Sequence, residues 1–220
     1  MLNRMVEEKP ELKGEKLSYA GRLDPMAEGE MLVLVGDENK EYKKYLGYDK
    51  EYEAVFVAKI KTDTGDVLGL ITEEGGEVSD LEKQIGDLKN IKKQKYPWFS
   101  SKTVGGIKLF DHFKKGNLDL ERPEREVCIR EADLIETQEI SSNEAQEYLI
   151  ESVKRVNGDF RQEEILSGWE KYFNNHNENI FIFKVMILVS TGTYIRGLTE
   201  NFDFPCMLFK LKRTKIFTRG

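Results

Sequence analysis

A chain of 220 residues that is 39% hydrophobic and 34% charged has the balance of a soluble globular protein with room for one sizeable core. No apolar run approaches the roughly 20 residues of a membrane-spanning helix, and the charged start MLNRMVEEKPELKGEK lacks the apolar stretch of a secretory signal, so a cytoplasmic protein that does not meet a membrane is expected. The net charge of −6, taken as an average, argues against nucleic acid, and Cys128 and Cys206, without CxxC or Cys/His spacing, predict buried free thiols, no disulfide framework and no structural metal.

In chain order, the first predicted element is the apolar run 31–35 between Gly29 and Gly36, which reads as a buried strand. A charged helical stretch follows to Tyr48. From 51 to 60 apolar residues alternate, with Tyr52, Ala54, Phe56, Ala58 and Ile60 on one face of a half-buried strand. The run Thr62-Asp-Thr-Gly-Asp66 turns the chain. Ser79 with Glu82 forms a capping-box pattern ahead of Leu81, Ile85 and Leu88, which suit one helix face. Pro97 ends that pattern, and Gly105 and Gly106 predict a loop and hairpin across 98–112.

A second capping box, Ser141 with Glu144, opens a helix with Ala145, Leu149, Val153 and Val156 on one face, closed by Gly158. Between 160 and 179 the asparagine-rich sequence predicts a surface loop. Residues 180–189 form the longest apolar run and predict a central strand. A turn at 191–193 then leads into a helix holding Tyr194, Arg196 and Leu198, and 206–217 reads as the last strand. Interleaved elements without a strict βαβ rhythm predict a mixed α/β domain.

The average charge conceals local structure. Lys92, Lys93, Lys95, Lys102 and Lys108, then Lys114 and Lys115, then Lys210, Lys212, Arg213 and Lys215 form basic clusters interleaved with Tyr96, Trp98, Phe99, Phe110 and Phe209. Cations can hold an RNA backbone while aromatic faces take unstacked bases, although a solvated charged face is the plainer reading of the same residues.

The segment Ala20-Gly-Arg-Leu-Asp-Pro-Met-Ala-Glu-Gly29 is the most informative. Asp24 precedes a proline, which biases it to an extended or turn conformation, and the flanking glycines allow close backbone approach to a ligand. A carboxylate on such a loop is placed to act as a nucleophile; on residue chemistry alone an ordinary Asp–Pro turn fits as well.

This segment, running through Tyr19 and Val35-Gly36 to Lys40, resembles the catalytic motif of TruB-type pseudouridine synthases, and three further stretches match in order: Asp49-Lys-Glu-Tyr-Glu-Ala-Val-Phe56 with Thr62 to Asp66, Pro97-Trp-Phe-Ser-Ser-Lys-Thr-Val-Gly-Gly106, and Gly192-Thr-Tyr-Ile-Arg196 followed by Leu211-Lys-Arg-Thr214. The resemblance implies one catalytic domain over 1–220 whose central mixed, largely antiparallel sheet is flanked by helices and loops. It implies an isomerase that converts a uridine in the tRNA T-loop to pseudouridine, works as a monomer and uses no cofactor. Asp24 would be the nucleophile, Arg196 its partner and Tyr52 the ring that stacks on the target base. Leu211 would pack on the base, and Tyr19, Arg22, Lys93, Lys95, Lys102, Tyr194, Lys212 and Arg213 would contact RNA. Tyr19 stands where the family has a histidine, Lys9-Pro10 is the sole match to the family's opening motif, and no PUA-like domain is expected after Gly220. The alternative is an RNA-binding module derived from such an enzyme but catalytically idle.

Overall fold

The computed structural model describes residues 2–158 and 160–217. Four long strands build its centre: β1 (Asp49–Ala58), β2 (Ile129–Ile140), β3 (Ile180–Val189) and β4 (Cys206–Phe217). They lie in the order β2, β3, β1, β4, each antiparallel to its neighbours, and the two-residue strand Glu28–Gly29 joins the free edge of β4 in parallel. The sheet is mixed and largely antiparallel, as expected. Among the described residues no helix is long and apolar enough to cross a membrane.

Strand alternation gives each face its own core. Tyr52, Ala54, Phe56 and Ala58 of β1 join Phe183, Val185 and Ile187 of β3 with Leu208 and Leu211 of β4; the helix Leu81–Asp87, the segment 195–204 and the loop residues Leu23 and Met26 cover them. Val55 and Val57 point the other way, into a second core closed by α1 (Ser142–Arg155) and α2 (Gln162–Asn175). Ser141 caps α1, its hydroxyl accepting from the Glu144 N–H at 3.2 Å. The hairpin at Gly105–Gly106 forms, and a short helix, Leu109–Lys114, follows it.

Four elements differ from the sequence reading. Residues 160–179 are not a loop: α2 occupies most of them and buries Ile165, Trp169 and Phe173 at four-residue intervals, a helical stripe that the surrounding asparagines obscured. β2, with only Ile129, Ala132 and Ile140 buried in twelve residues, carries too little apolar alternation to announce an edge strand. The run 31–35 contributes only Val33–Val35, a half-buried strand paired with Leu17–Tyr19 outside the central sheet. Ser79 does not cap the next helix; Asp80 precedes it at φ 44° with no side-chain cap, and the Ser79 hydroxyl turns toward Asp203. Cys206 is buried and Cys128 half-buried, both free.

Candidate active site

Asp24 lies on the loop that runs from Gly21 to Glu30, and β4 holds both ends of that loop through one residue. The backbone carbonyl of Arg213 accepts from the Glu30 N–H at 2.9 Å, its Nε donates to the Glu30 carbonyl at 2.6 Å, and its terminal nitrogens donate to the Gly21 carbonyl at 3.4 Å. Gly29 adopts φ 113°, and a Cβ there would run into the Arg213 backbone, so the close pairing of loop and strand requires glycine. Arg213 is fully buried. The expectation that it meets RNA is therefore corrected: its charge is turned inward to backbone carbonyls.

The chain also brings Arg196 to Asp24. Arg196 is 4% exposed and sits in the 3-10 turn Ile195–Asn201. Its Nε donates to Asp24 Oδ2 at 3.2 Å, while its terminal nitrogens donate to the Thr64 carbonyl at 3.1 Å and the Phe99 carbonyl at 2.7 Å. The contact to Asp24 is thus made through one nitrogen and is not the two-pronged grip open to an arginine and a carboxylate. A second carboxylate, Asp66 Oδ2, lies 3.8 Å from Arg196 Nε. Burial pushes the Asp66 carboxyl above its ordinary range, Arg196 opposing and Asp24 adding to the rise; its Oδ1 accepts from the Thr64 hydroxyl at 2.7 Å and the Leu68 N–H at 2.9 Å. Burial works against the Arg196 cation, yet Asp24 and Asp66 outweigh it and hold its pKa above the usual value. The result is a buried Asp–Arg–Asp row with only Asp24 at the surface end, its side chain 23% exposed.

A cavity of about 270 Å³ opens on this row, at the lower edge of volumes that admit small ligands. Its lining includes the polar residues Asp24, Asp66, Thr64, Arg196 and Ser100 and the aromatic residues Phe99, Phe110 and Phe160. Arg161, at the start of α2, closes one flank; it pairs with Asp63 at 2.7 Å and lies 4.6 Å over the Phe99 ring. Phe160, Arg161, Ser100 and Asp66 had been given no role by sequence. Asp66 was inside a recognised motif, whereas Phe160 and Arg161 follow from α2 and had no local signal.

Tyr52 stands directly across from Arg213 on the sheet. It is 8% exposed, and burial raises its phenol, Arg213 opposing. Neither Tyr52 nor Leu211 is among the residues lining the cavity; both belong to the core that the Asp24 loop covers. Tyr194, whose phenol is likewise raised by burial, is fixed by Gln94: its N–H donates to the Gln94 side chain at 2.9 Å and its carbonyl accepts at 2.8 Å. It packs edge-on to Tyr96 at 5.9 Å, over which Lys102 lies at 5.0 Å. Tyr19 and Arg22 stack on each other at 5.7 Å. Lys93, Lys95 and Lys212 are exposed, and the first two face Glu126 and Glu124 across a two-stranded ribbon, which offsets their charge.

Comparison with known proteins bears on this arrangement. The profile described as TruB family pseudouridylate synthase (N terminal domain) matches residues 9–162. The chain belongs to the TruB family. This TruB-family chain is 37% identical over 132 residues to a tRNA pseudouridine synthase B of Fusobacterium nucleatum, an alignment covering 57% of the chain and 44% of that protein. It is 26% identical over 212 residues to one of Staphylococcus aureus, covering 92% of the chain and 57% of that protein. It therefore spans about half the length of the curated relatives it matches. Among solved structures, a chain of a Cbf5-Nop10-Gar1 complex aligns at 17% identity with a TM-score of 0.48, over 97% of this chain and 44% of that one. Within the TruB-family profile, Asp24, Tyr52 and Asp66 fall inside the matched residues, whereas Arg196, Leu211 and Arg213 lie beyond them.

Proposed function

We propose that this TruB-family chain is an RNA pseudouridine synthase acting on a uridine in the T-loop of tRNA, with Asp24 as nucleophile and Arg196 as the group that positions it. The observation that carries the reading is a surface-facing carboxylate, held at 3.2 Å by a buried arginine, in the wall of a cavity lined by both polar and aromatic residues. A uridine must leave its stack before any side chain can reach the glycosidic bond. In the cavity the C1′–N1 bond breaks with help from Asp24, the freed uracil turns, C1′ bonds to C5, the C5 proton leaves and N1 takes one up, so the reaction is an isomerisation needing no external oxidant or reductant. Lys93, Lys95, Lys102 and Lys212 meet the RNA backbone in this reading, and Tyr19, Arg22 and Tyr194 meet bases.

Tyr52 takes the stacked base only when the Asp24 loop lifts, because its ring is buried beneath that loop. The same burial is the observation that favours the second reading, an RNA-binding module without turnover. The test is tritium release from tRNA labelled at uridine C5. Wild type should release tritium, and Asp24→Asn, which keeps shape and removes charge, should release none while binding RNA normally. Release by the asparagine variant would remove Asp24 from the chemistry; no release by wild type, with RNA binding intact, would establish the idle module.

A further inference from the structure

The cavity beside Asp24 contains a polar atom that the chain leaves without a partner. Ser100 is 9% exposed, and its buried Oγ has no hydrogen-bond partner among the described residues. The polar groups around it are engaged: Asp24 with Arg196, Asp66 with Thr64 and Leu68, and Arg196 with Thr64 and Phe99. A hydroxyl withdrawn from water and left unpaired destabilises the fold, so its place in the wall of a cavity points to a ligand that supplies the missing partner.

The position of Ser100 narrows what that partner is. Ser100 follows Phe99, whose carbonyl accepts from Arg196 at 2.7 Å, and the next residue along a chain cannot lie far from that bond. Ser100 therefore lies close to the Arg196 guanidinium that holds Asp24. In the synthase reading the sugar of the target uridine lies at Asp24, whichever ring its base stacks on. Asp24 must work at C1′ of that sugar, and the carbon bearing the 2′-hydroxyl is bonded to C1′. We infer that Ser100 Oγ hydrogen-bonds the ribose 2′-hydroxyl of the target nucleotide. Each group is both donor and acceptor, so the pair can form in either sense. Ser100 thereby becomes a specificity residue that distinguishes a ribose from a deoxyribose at the one nucleotide that is turned over. This deepens the synthase reading and rests on it.

Two synthetic stem-loop RNAs with the tRNA T-loop sequence, identical except for uridine or 2′-deoxyuridine at the target, test the assignment against wild type, Ser100→Ala and Ser100→Cys. Affinity and single-turnover rate are measured for each pair, and thermal unfolding checks that the variants are folded. Wild type should favour the ribose RNA by roughly 3- to 10-fold, the worth of one hydrogen bond. Both variants should lose that preference by weakening on the ribose RNA alone, cysteine keeping nearly the volume of serine with a much poorer hydrogen-bonding group. Equal weakening on both RNAs, or an unchanged preference, overturns the assignment. If wild type forms no pseudouridine on either RNA, the synthase reading falls, while the affinity ratios still decide for or against Ser100.

Discussion

Arg196 reaches three partners with three nitrogens, and that division sets what a substitution there does. Its Nε meets Asp24 while its terminal nitrogens anchor the carbonyls of Thr64 and Phe99. Lysine would supply one charge at one point and leave at least one buried carbonyl without a donor. Arg196→Lys should therefore lower the single-turnover rate by roughly 10²-fold or more through misplacement of Asp24, with a smaller change in RNA affinity; equal losses in both would mean that the arginine binds RNA and does not position the carboxylate. Lys50 gives a second test at this scale. It is 5% exposed, and its ammonium donates to the Tyr48 and Leu46 carbonyls. Burial, with Arg213 adding and Asp49 opposing, lowers its pKa from 10.5 to about 8. The folded chain then releases this proton before the unfolded chain does. Between about pH 8 and 10.5 the unfolded state holds more protons, so stability rises with pH across that window, the charged lysine being a standing cost below it. The gain is at most about 3.5 kcal/mol at about 1.4 kcal/mol per unit. Urea unfolding of wild type and Lys50→Met at about pH 7 and about pH 10 should show wild type gaining on the variant; a constant gap would mean that Lys50 titrates as it does in the unfolded chain.

At the scale of elements, α2 is both a wall of the second core and a support of the cavity. Trp169 is 1% exposed within it, and Arg161 at its start ties it to Asp63 beside the active-site turn. Trp169→Ala should cost about 3–5 kcal/mol, read as a lower urea midpoint; a loss under about 1 kcal/mol, the size expected of a surface position, would deny the helix that packing role. This element also shows where sequence reading stopped. The strands β1, β3 and β4 and the helix α1 were legible because each has a long regular burial pattern, and Asp24, Tyr52 and Arg196 because each stands in a motif. The structure brings Asp24 and Arg196 into contact and adds Asp66 to them. What the sequence hid were the contributions of tertiary contact: Phe160 and Arg161 reach the cavity only because α2 packs where it does, Ser100 matters only because it is buried beside the ion pairs, and Arg213, read as a surface cation, became the anchor of the Asp24 loop.

At the scale of the whole molecule, the central sheet, with a core on each face, carries the candidate site on its edge and loops, so the groups proposed for the chemistry sit on parts that can move without unfolding the centre. The anchoring of residues 21–30 by Arg213 has a consequence in time as well as in space. Because one residue fastens both ends of the loop, the expected outcome is that the segment comes away as one unit and does not fray from either side. Amide hydrogen exchange should report this: the N–H groups of Ala27 and Glu30, bonded to the Asp24 and Arg213 carbonyls, should exchange with a common opening free energy well below that of β1, and Arg213→Lys should speed both together. Separate rates for the two would show a loop that frays. Since Tyr52 lies beneath this segment, in the proposed reaction the frequency of that opening would set an upper limit on how often the tyrosine ring could receive a base.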